Sequence, residues 1–360
     1  MNKNSKIYVA GHNGMVGSAI WKNLVANGYT NLIGRSHKEM DLLDGTAVKV
    51  FFENEKPEYV FLAAAHVGGI IANNTYRADF IYKNLQIQNN VIYESFKNDV
   101  KKLLFLGSTC IYPKESPQPM GEDYLLTSPL EYTNEPYAIA KIAGLKMCES
   151  FNIQYGTNYI AVMPTNLYGL NDNFDLEKSH VLPAMMRKMH LSKCLHENNW
   201  EGIKKDLKKR PINGINDNST NDEIHKALNK FGIFSNHLDL WGTGKPMREF
   251  LWSEDMAEAC VFIMENIDFD DLKNDKQEIR NCHINIGSGK EISIKNLAET
   301  IKGIIGFNGD IRFDSSKPDG TMRKLTDVSK LTSLGWRHKV EIDEGISLMY
   351  DWYIANQGKE

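Results

Sequence analysis

The chain has 360 residues, which suits one large α/β domain or two unequal domains. Hydrophobic residues make up 42% and charged residues 24%, a globular balance that excludes a disordered chain. Lys+Arg number 42 against 46 Asp+Glu, a net charge of -4, so no basic excess points to nucleic acid as a partner. The five cysteines, Cys110, Cys148, Cys194, Cys260 and Cys282, are odd in number, widely spread and without a CxxC pair. They argue against a disulfide framework or a zinc ribbon, and no other metal site is expected; a reducing cytoplasm is the simplest setting. The opening residues, MNKNSKIYVAGHNG, have no signal-peptide pattern, and no apolar run reaches the roughly 20 residues that span a bilayer. A cytoplasmic protein with no membrane partner is expected.

In chain order, Lys6–Ala10 reads as a buried strand and Met15–Ala26 as a helix. Leu32-Ile33, Glu58–Ala65, Lys102–Gly107 and Tyr159–Pro164 read as further strands, with helices at Ile81–Phe96 and Tyr137–Tyr155 between them. Repeated βα units with near-continuous apolar strands predict an α/β fold, a doubly wound parallel sheet of Rossmann type. The second half is less regular, with helices predicted at Val181–His190, Glu254–Glu265 and Ser293–Ile305 and a strand at His283–Ile286. Residues 193–237 are rich in Lys, Asp and Asn and weak in apolar periodicity. They read as a solvated insertion with short helices at Trp200–Lys209 and Asn221–Lys230. The expected division is a nucleotide domain at 1–170, to which about 238–265 returns, and a smaller C-terminal α/β substrate domain at 171–360.

Gly11-His12-Asn13-Gly14-Met15-Val16-Gly17 follows the first strand and opens the first helix. The first glycine allows a tight turn, the second a close approach to pyrophosphate, and the third close helix–strand packing. Helix-terminal N–H groups then face phosphate, so a dinucleotide is expected. An acid ending the second strand would hold ribose hydroxyls and repel a 2′-phosphate. Here Ile33-Gly34-Arg35-Ser36-His37 brings a cation, and no acid until Glu39, which favours NADP. Asp41 and Asp44 follow, within reach of the adenine side.

Tyr137 and Lys141 form a YxxxK pair whose spacing puts both on one helix face. An ammonium there is expected to lower the tyrosine pKa towards the working range. Ser108 lies just after the fourth strand, the edge where open α/β sheets bind ligands. A Ser–Tyr–Lys set behind a nucleotide loop points to hydride transfer at a carbonyl or hydroxyl carbon.

These pieces sit in longer runs: AGHNGMVGSAI (10–20), AAAHVGGIIANNTYRADFIYKN (63–84), LLFLGSTCIYPK (103–114), NEPYAIAKIAG (134–144), MPTNLYG (163–169), WGTGKPMREFL (241–251) and SKPDGTMRKL (316–325). On them the chain resembles the extended short-chain dehydrogenase/reductase superfamily and, within it, the GDP-L-fucose synthase family. The resemblance covers almost the whole chain except about 193–237 and short stretches near 268–281. It implies epimerisation at carbons 3 and 5 of a GDP-4-keto-6-deoxy sugar and reduction of carbon 4 with NADPH. A reduction-only enzyme for a related heptose is the alternative. The resemblance implies Cys110 as the epimerisation base and His180 as the acid, and Ser108, Tyr137 and Lys141 as the reduction set. It further implies cofactor contacts from Gly11, Asn13, Gly14, Met15, Val16, Gly17, Arg35, His37, Asp41, Leu106, Lys141, Pro164, Asn166, Leu167 and His180. Lys188, Trp241, Arg248 and Asp319 match substrate positions, Lys188 and Arg248 near the GDP pyrophosphate. Asn166 and Asn134 read either as substrate contacts or as loop hydrogen bonders. The family often has arginine where this chain has Asn13 and His37, leaving Arg35 as the main cation. The resemblance also implies a homodimer, with a dimer helix around Tyr76–Phe96.

Overall fold

The fold is known from a computed structural model, which describes residues 1–273, 278–317 and 319–357. The strands are β1 (Ile7–Ala10), β2 (Leu32–Ile33), β3 (Tyr59–Leu62), β4 (Lys102–Leu106), β5 (Tyr159–Pro164), β6 (Asn166–Tyr168), β7 (His237–Trp241), β8 (Met247–Trp252), β9 (Ile284–Ile286), β10 (Glu291–Ser293) and β11 (Asp310–Asp314). The helices are α1 (Met15–Ala26), α2 (Gly45–Glu55), α3 (Ile70–Thr75), α4 (Arg77–Lys97), α5 (Glu135–Tyr155), α6 (Val181–His196), α7 (Trp200–Lys209), α8 (Asn221–Lys230), α9 (Ser253–Asn266), α10 (Ile294–Ile305), α11 (Ser329–Ser333) and α12 (Ile342–Ala355). Pro318, within the 316–325 run, lies outside the described residues. Among the described residues no helix is long and apolar enough to cross a membrane.

The chain divides into two units. The first comprises Met1–Leu167, Glu249–Lys290 and Leu325–Lys339; the second comprises Tyr168–Arg248, Glu291–Lys324 and Val340–Glu360. The expected return at 238–265 coincides with the first unit only from Glu249 onward, and the segment 325–339 was not foreseen as part of it.

In the first unit six strands pair in the order β2-β1-β3-β4-β5-β9, every pair parallel. Chain order reverses between β1 and β3, so the crevice that binds ligands in such sheets opens beyond their carboxyl ends. Side chains alternate across the sheet. Ile7, Val9, Phe61, Leu104, Ile160 and Ile284 face a layer with Ile20 and Leu24 of α1 and Met256, Cys260 and Ile263 of α9. Tyr8, Val60, Leu103, Phe105 and Met163 face the opposite layer, with Phe52 of α2, Val91 and Ile92 of α4 and Leu145 of α5. Both faces are covered, which is why the strands read as continuous apolar runs. Buried Lys102 starts β4 and donates to the carbonyls of Ile263 and Met264 at 3.2 and 3.0 Å and to Asp268 at 3.0 Å. An ammonium there adds donors to the C-terminal carbonyls of α9.

The second unit corrects the reading of residues 193–237. The helices α7 and α8 form where the sequence places them, but they are packed, not a solvated excursion. Ile203 and Leu207 of α7 and Ile224 and Leu228 of α8 are fully buried. Arg187 of α6 donates from Nε and Nη2 to Asp206 Oδ2 of α7 at 2.9 and 2.8 Å, with both residues buried. Tyr353 of α12 donates to the other oxygen of Asp206. A lysine-rich surface hid one buried acid whose partner is far away in the sequence. Breaking such a pair strands a buried charge. Asp206→Ala should cost about 3–5 kcal/mol. Chemical denaturation followed by intrinsic fluorescence measures it, with Arg187→Met/Asp206→Leu recovering most of the loss.

Candidate active site

The glycine turn sits at the crevice between β1 and β3. Gly11 has φ +86°, and a Cβ on it would lie 2.9 Å from the backbone of Ala64, just past β3. A Cβ on Gly17 would meet the Gly11 carbonyl oxygen at 2.1 Å. Both positions therefore require glycine, one for its conformation and both for space. Gly14 is the N-cap of α1; no side chain caps that end and its first turn carries no acid. The amide groups around Met15 and Val16 thus start a helix whose positive end suits a pyrophosphate. The turn fits a dinucleotide.

At the end of β2 the electrostatics are more mixed than the sequence implied. Arg35 donates to Glu55 at 2.6 Å and to the Gly34 carbonyl at 2.9 Å, and its guanidinium lies over Phe51. Glu39, expected downstream, folds back to accept from the Ser36 N–H and hydroxyl, each at 2.7 Å. Those two bonds hold its carboxyl below the ordinary value. His37 is exposed, with Asp41 3.6 Å away. Asp41 also takes the Leu43 N–H, and Asp44 caps α2 through Thr46 and Ala47, so the Asp44 carboxylate is spent on the helix. The ring of His12, within the glycine turn, lies close against Gly34, where a Cβ would meet Nδ1 at 2.5 Å, and beside Trp21.

The reactive groups gather where β4 ends and α5 begins. Ser108 caps a short 3-10 turn, Thr109–Ile111, by accepting the Cys110 N–H at 3.2 Å. Lys141 is buried one turn beyond Tyr137, and its Nζ donates to the Leu106 carbonyl at 2.8 Å. Tyr137 hydrogen-bonds Ser108. The expected lowering of the Tyr137 pKa is not found. Burial raises it, the Cys110 sulfur adds to the rise, and only the Ser108 bond opposes. The same burial pushes Lys141 down to about 7. Desolvation of that ammonium leaves it a weaker support for a phenolate. Tyr137 is accordingly a protonated hydroxyl, the form an acid needs.

Cys110 is partly exposed, whereas the other four cysteines are buried. The Asn134 amide donates to its sulfur at 3.3 Å. Asn134 is held by Glu131, a residue sequence reasoning passed over. Glu131 Oε2 accepts from the Thr133 N–H at 3.0 Å, the Thr133 hydroxyl at 2.5 Å and the Asn134 N–H at 3.3 Å. The signal was an acid two residues before a threonine at a helix start. Leu106, Pro164 and Leu167 lie at or just beyond the ends of β4 and β5. Asn166, which opens β6, donates to the Glu249 carbonyl at 2.8 Å. Glu249 itself is fully buried and accepts from the N–H groups of Gly289 and Thr326 at 2.7 and 2.9 Å.

The second unit carries the remaining candidates. His180 is the N-cap of α6 but makes no capping bond with its side chain. Desolvation holds its imidazole below the ordinary value, although the residue keeps contact with solvent. Lys188, half-buried on the same helix, is pushed down to about 8 by desolvation, against the pull of Asp239. Trp241 is 63% exposed at the end of β7, so it is not core. Arg248 donates to the carbonyls of Met247 and Thr321 at 2.7 and 2.6 Å. Asp319 accepts from the Thr243 N–H at 2.9 Å and hydroxyl at 2.7 Å, which fixes the turn beside Trp241. Its carboxylate therefore shapes that surface more than it awaits a sugar hydroxyl.

Residues 7–209 and 216–287 match the model of the NAD dependent epimerase/dehydratase family. GDP-L-fucose synthase 1 of Arabidopsis thaliana is 50% identical over 355 residues, 99% of this chain and 95% of the relative. A GDP-6-OMe-4-keto-L-xylo-heptose reductase from Campylobacter jejuni is 49% identical with a TM-score of 0.93, covering 99% of each chain. A GDP-mannoheptose C4 reductase from the same organism, with NADP bound, is 48% identical with a TM-score of 0.86, covering 98% of this chain and 99% of the other. With its glycine turn at the crevice and its Ser–Tyr–Lys set at the sheet edge, the chain belongs to the NAD dependent epimerase/dehydratase family, in the branch that holds the GDP-L-fucose synthases.

Proposed function

We propose that this protein reduces carbon 4 of a GDP-linked 4-keto-6-deoxy sugar with NADPH after inverting carbons 3 and 5. The observation that carries the reading is the convergence of Ser108, Cys110, Tyr137 and Lys141 at one strand end and one helix start. Two proton-transfer chemistries are thereby available at one site. NADPH supplies the hydride. Ser108 and Tyr137 hold the sugar's carbonyl oxygen by hydrogen bonds, and Tyr137 delivers its proton to that oxygen. Lys141, anchored on Leu106, holds the nicotinamide ribose. For epimerisation the 4-keto group acidifies the neighbouring C–H bonds. The Cys110 thiolate takes the proton, the C–H electron pair moves to the ketone as an enolate, and His180 returns a proton to the carbon. Lys188 and Arg248 supply cationic donors for the pyrophosphate, and Trp241 a flat surface for the substrate. The glycine turn and Arg35, His37 and Asp41 hold the adenosine half of the cofactor, which relatives with GDP-sugar names and one with NADP bound support.

A second reading, carbon-4 reduction of a GDP-linked heptose without epimerisation, is favoured by the two heptose reductases at 48–49% identity. We also infer a cytoplasmic homodimer. Tyr82 and Tyr93 of α4 and Ile139 and Ile153 of α5 are large exposed apolar side chains, three to four turns apart on each helix. Such a face suits a second copy.

Product NMR in heavy water separates the two catalytic readings. The parent should place deuterium at carbons 3 and 5 of a GDP-4-keto-6-deoxy hexose and reduce it. Tyr137→Phe should keep the exchange while NADPH oxidation falls by about 10²–10⁴. A parent that reduces only a heptose, with no deuterium at those carbons, establishes the second reading.

Arg35→Ala should raise the KM for NADPH by about tenfold, the lower end for a charge-assisted contact, because Glu55 already shares the cation. The KM for NADH should barely change. Equal shifts in both constants would remove Arg35 from 2′-phosphate recognition.

Sedimentation equilibrium should give twice the 40.9 kDa chain mass. A single-chain mass at micromolar concentration would overturn the dimer.

A further inference from the structure

We propose that Asn134 is the positioning residue that makes Cys110 a usable base, its side-chain amide donating to the sulfur and favouring the thiolate. The inference rests on the reading of Cys110 as the epimerisation base and assigns that base its support. Asn134 Nδ2 lies 3.3 Å from Cys110 Sγ, a contact within the first unit. The amide is built into place from both sides. Glu131 holds the backbone N–H of Asn134, and the Asn134 carbonyl accepts the Ala138 N–H at 3.0 Å in the first turn of α5. The sulfur is held as well, since Ser108 pins the Cys110 N–H in its 3-10 turn. Both partners are thus fixed before any substrate binds, so little entropy is lost when the bond matters.

The chemistry favours a neutral donor here. A hydrogen bond to an ionised acceptor is about twice as strong as one to a neutral group, so an amide aimed at sulfur stabilises thiolate over thiol. An ammonium in the same place would stabilise the thiolate further and so weaken it as a base. The titratable groups that α5 brings to this side are Tyr137 and Lys141. Tyr137 stays protonated, and Lys141 is turned to the Leu106 carbonyl. When the thiolate takes the proton from the sugar carbon, the C–H electron pair passes to the ketone and the sulfur becomes a neutral thiol. Asn134 gains and loses no atom; its hydrogen bond only weakens. Its placement at the N-cap of the helix that carries Tyr137 and Lys141 couples base support to the reduction set.

The test uses the full-length protein and iodoacetamide, which alkylates thiolate. Cys110 is the one cysteine of the five that is not buried, and Cys110→Ser supplies the blank. The alkylation rate, followed by peptide mass spectrometry from about pH 6 to 10, gives the Cys110 midpoint. Asn134→Ala should raise that midpoint by about one pH unit, a tenfold loss of thiolate below it, the margin between a charge-assisted and an ordinary hydrogen bond. Asn134→Asp keeps the side-chain shape, which guards against a folding failure of the alanine variant, and should raise the midpoint further by placing a carboxylate against the sulfur. In Asn134→Ala, deuterium incorporation at carbons 3 and 5 should slow by a similar factor. An unchanged midpoint in both variants overturns the proposal. So does a lowered midpoint in Asn134→Ala, which would mean that the amide oxygen faces a thiol. If the parent incorporates no deuterium, the epimerase reading fails, and the alkylation profile still decides whether Asn134 sets the thiolate.

Discussion

The hydrogen bond from the Lys141 ammonium to the Leu106 carbonyl ties the start of α5 to the end of β4, and the reactive groups hang from that tie. Leu106 is the last residue of β4, and Ser108 and Cys110 follow within four residues. Tyr137 precedes Lys141 by one turn on the same face. Fixing one strand end to one helix turn therefore fixes four side chains. The parallel sheet makes this economical. Every strand delivers its carboxyl end to the same edge, so the glycine turn after β1 and the serine after β4 share an edge without any long connection.

Burial sets the protonation states that this geometry exploits. Removing water raises the Tyr137 phenol and lowers the Lys141 ammonium, so desolvation outweighs their mutual attraction. The phenol then stays protonated, which suits a tyrosine that gives up a proton as hydride arrives. Cys110 is partly exposed, with the Asn134 amide beside it. One small region thus provides a protonated hydroxyl and a separate sulfur, an arrangement that lets two proton transfers use different groups.

The insertion at 193–237 shows how a lysine-rich surface can mask a structural role. It contributes α7 and α8, which bury their apolar stripes, and Asp206, which neutralises Arg187 of α6 inside the second unit. Lys188 follows Arg187 on that helix, and His180 stands just before its first turn. Residues 193–237 therefore form the wall against which α6 is set. Their sequence freedom at the surface is compatible with a fixed interior.

The sequence by itself determined the features that depend on local pattern. The parallel βα order follows from apolar runs, the glycine turn from backbone conformation that other residues cannot adopt, and the Tyr137–Lys141 face from helical spacing. Even α7 and α8 were legible as short helices, although their buried faces were not. Tertiary structure alone decided whatever depends on a distant partner or on exclusion of water. The pairing of Arg35 with Glu55 crosses 20 residues, and Glu131 acts through a turn whose value appears only once α5 is in place. The direction of the Tyr137 shift was misjudged because spacing shows that an ammonium is near but not that both groups are dry. The return of 325–339 to the first unit was equally hidden, since the Thr326 N–H meets the buried carboxylate of Glu249 only in the folded chain. Periodicity and backbone geometry are properties of a segment, whereas desolvation and charge pairing are properties of the whole fold, and the chemistry of this site is set by the latter.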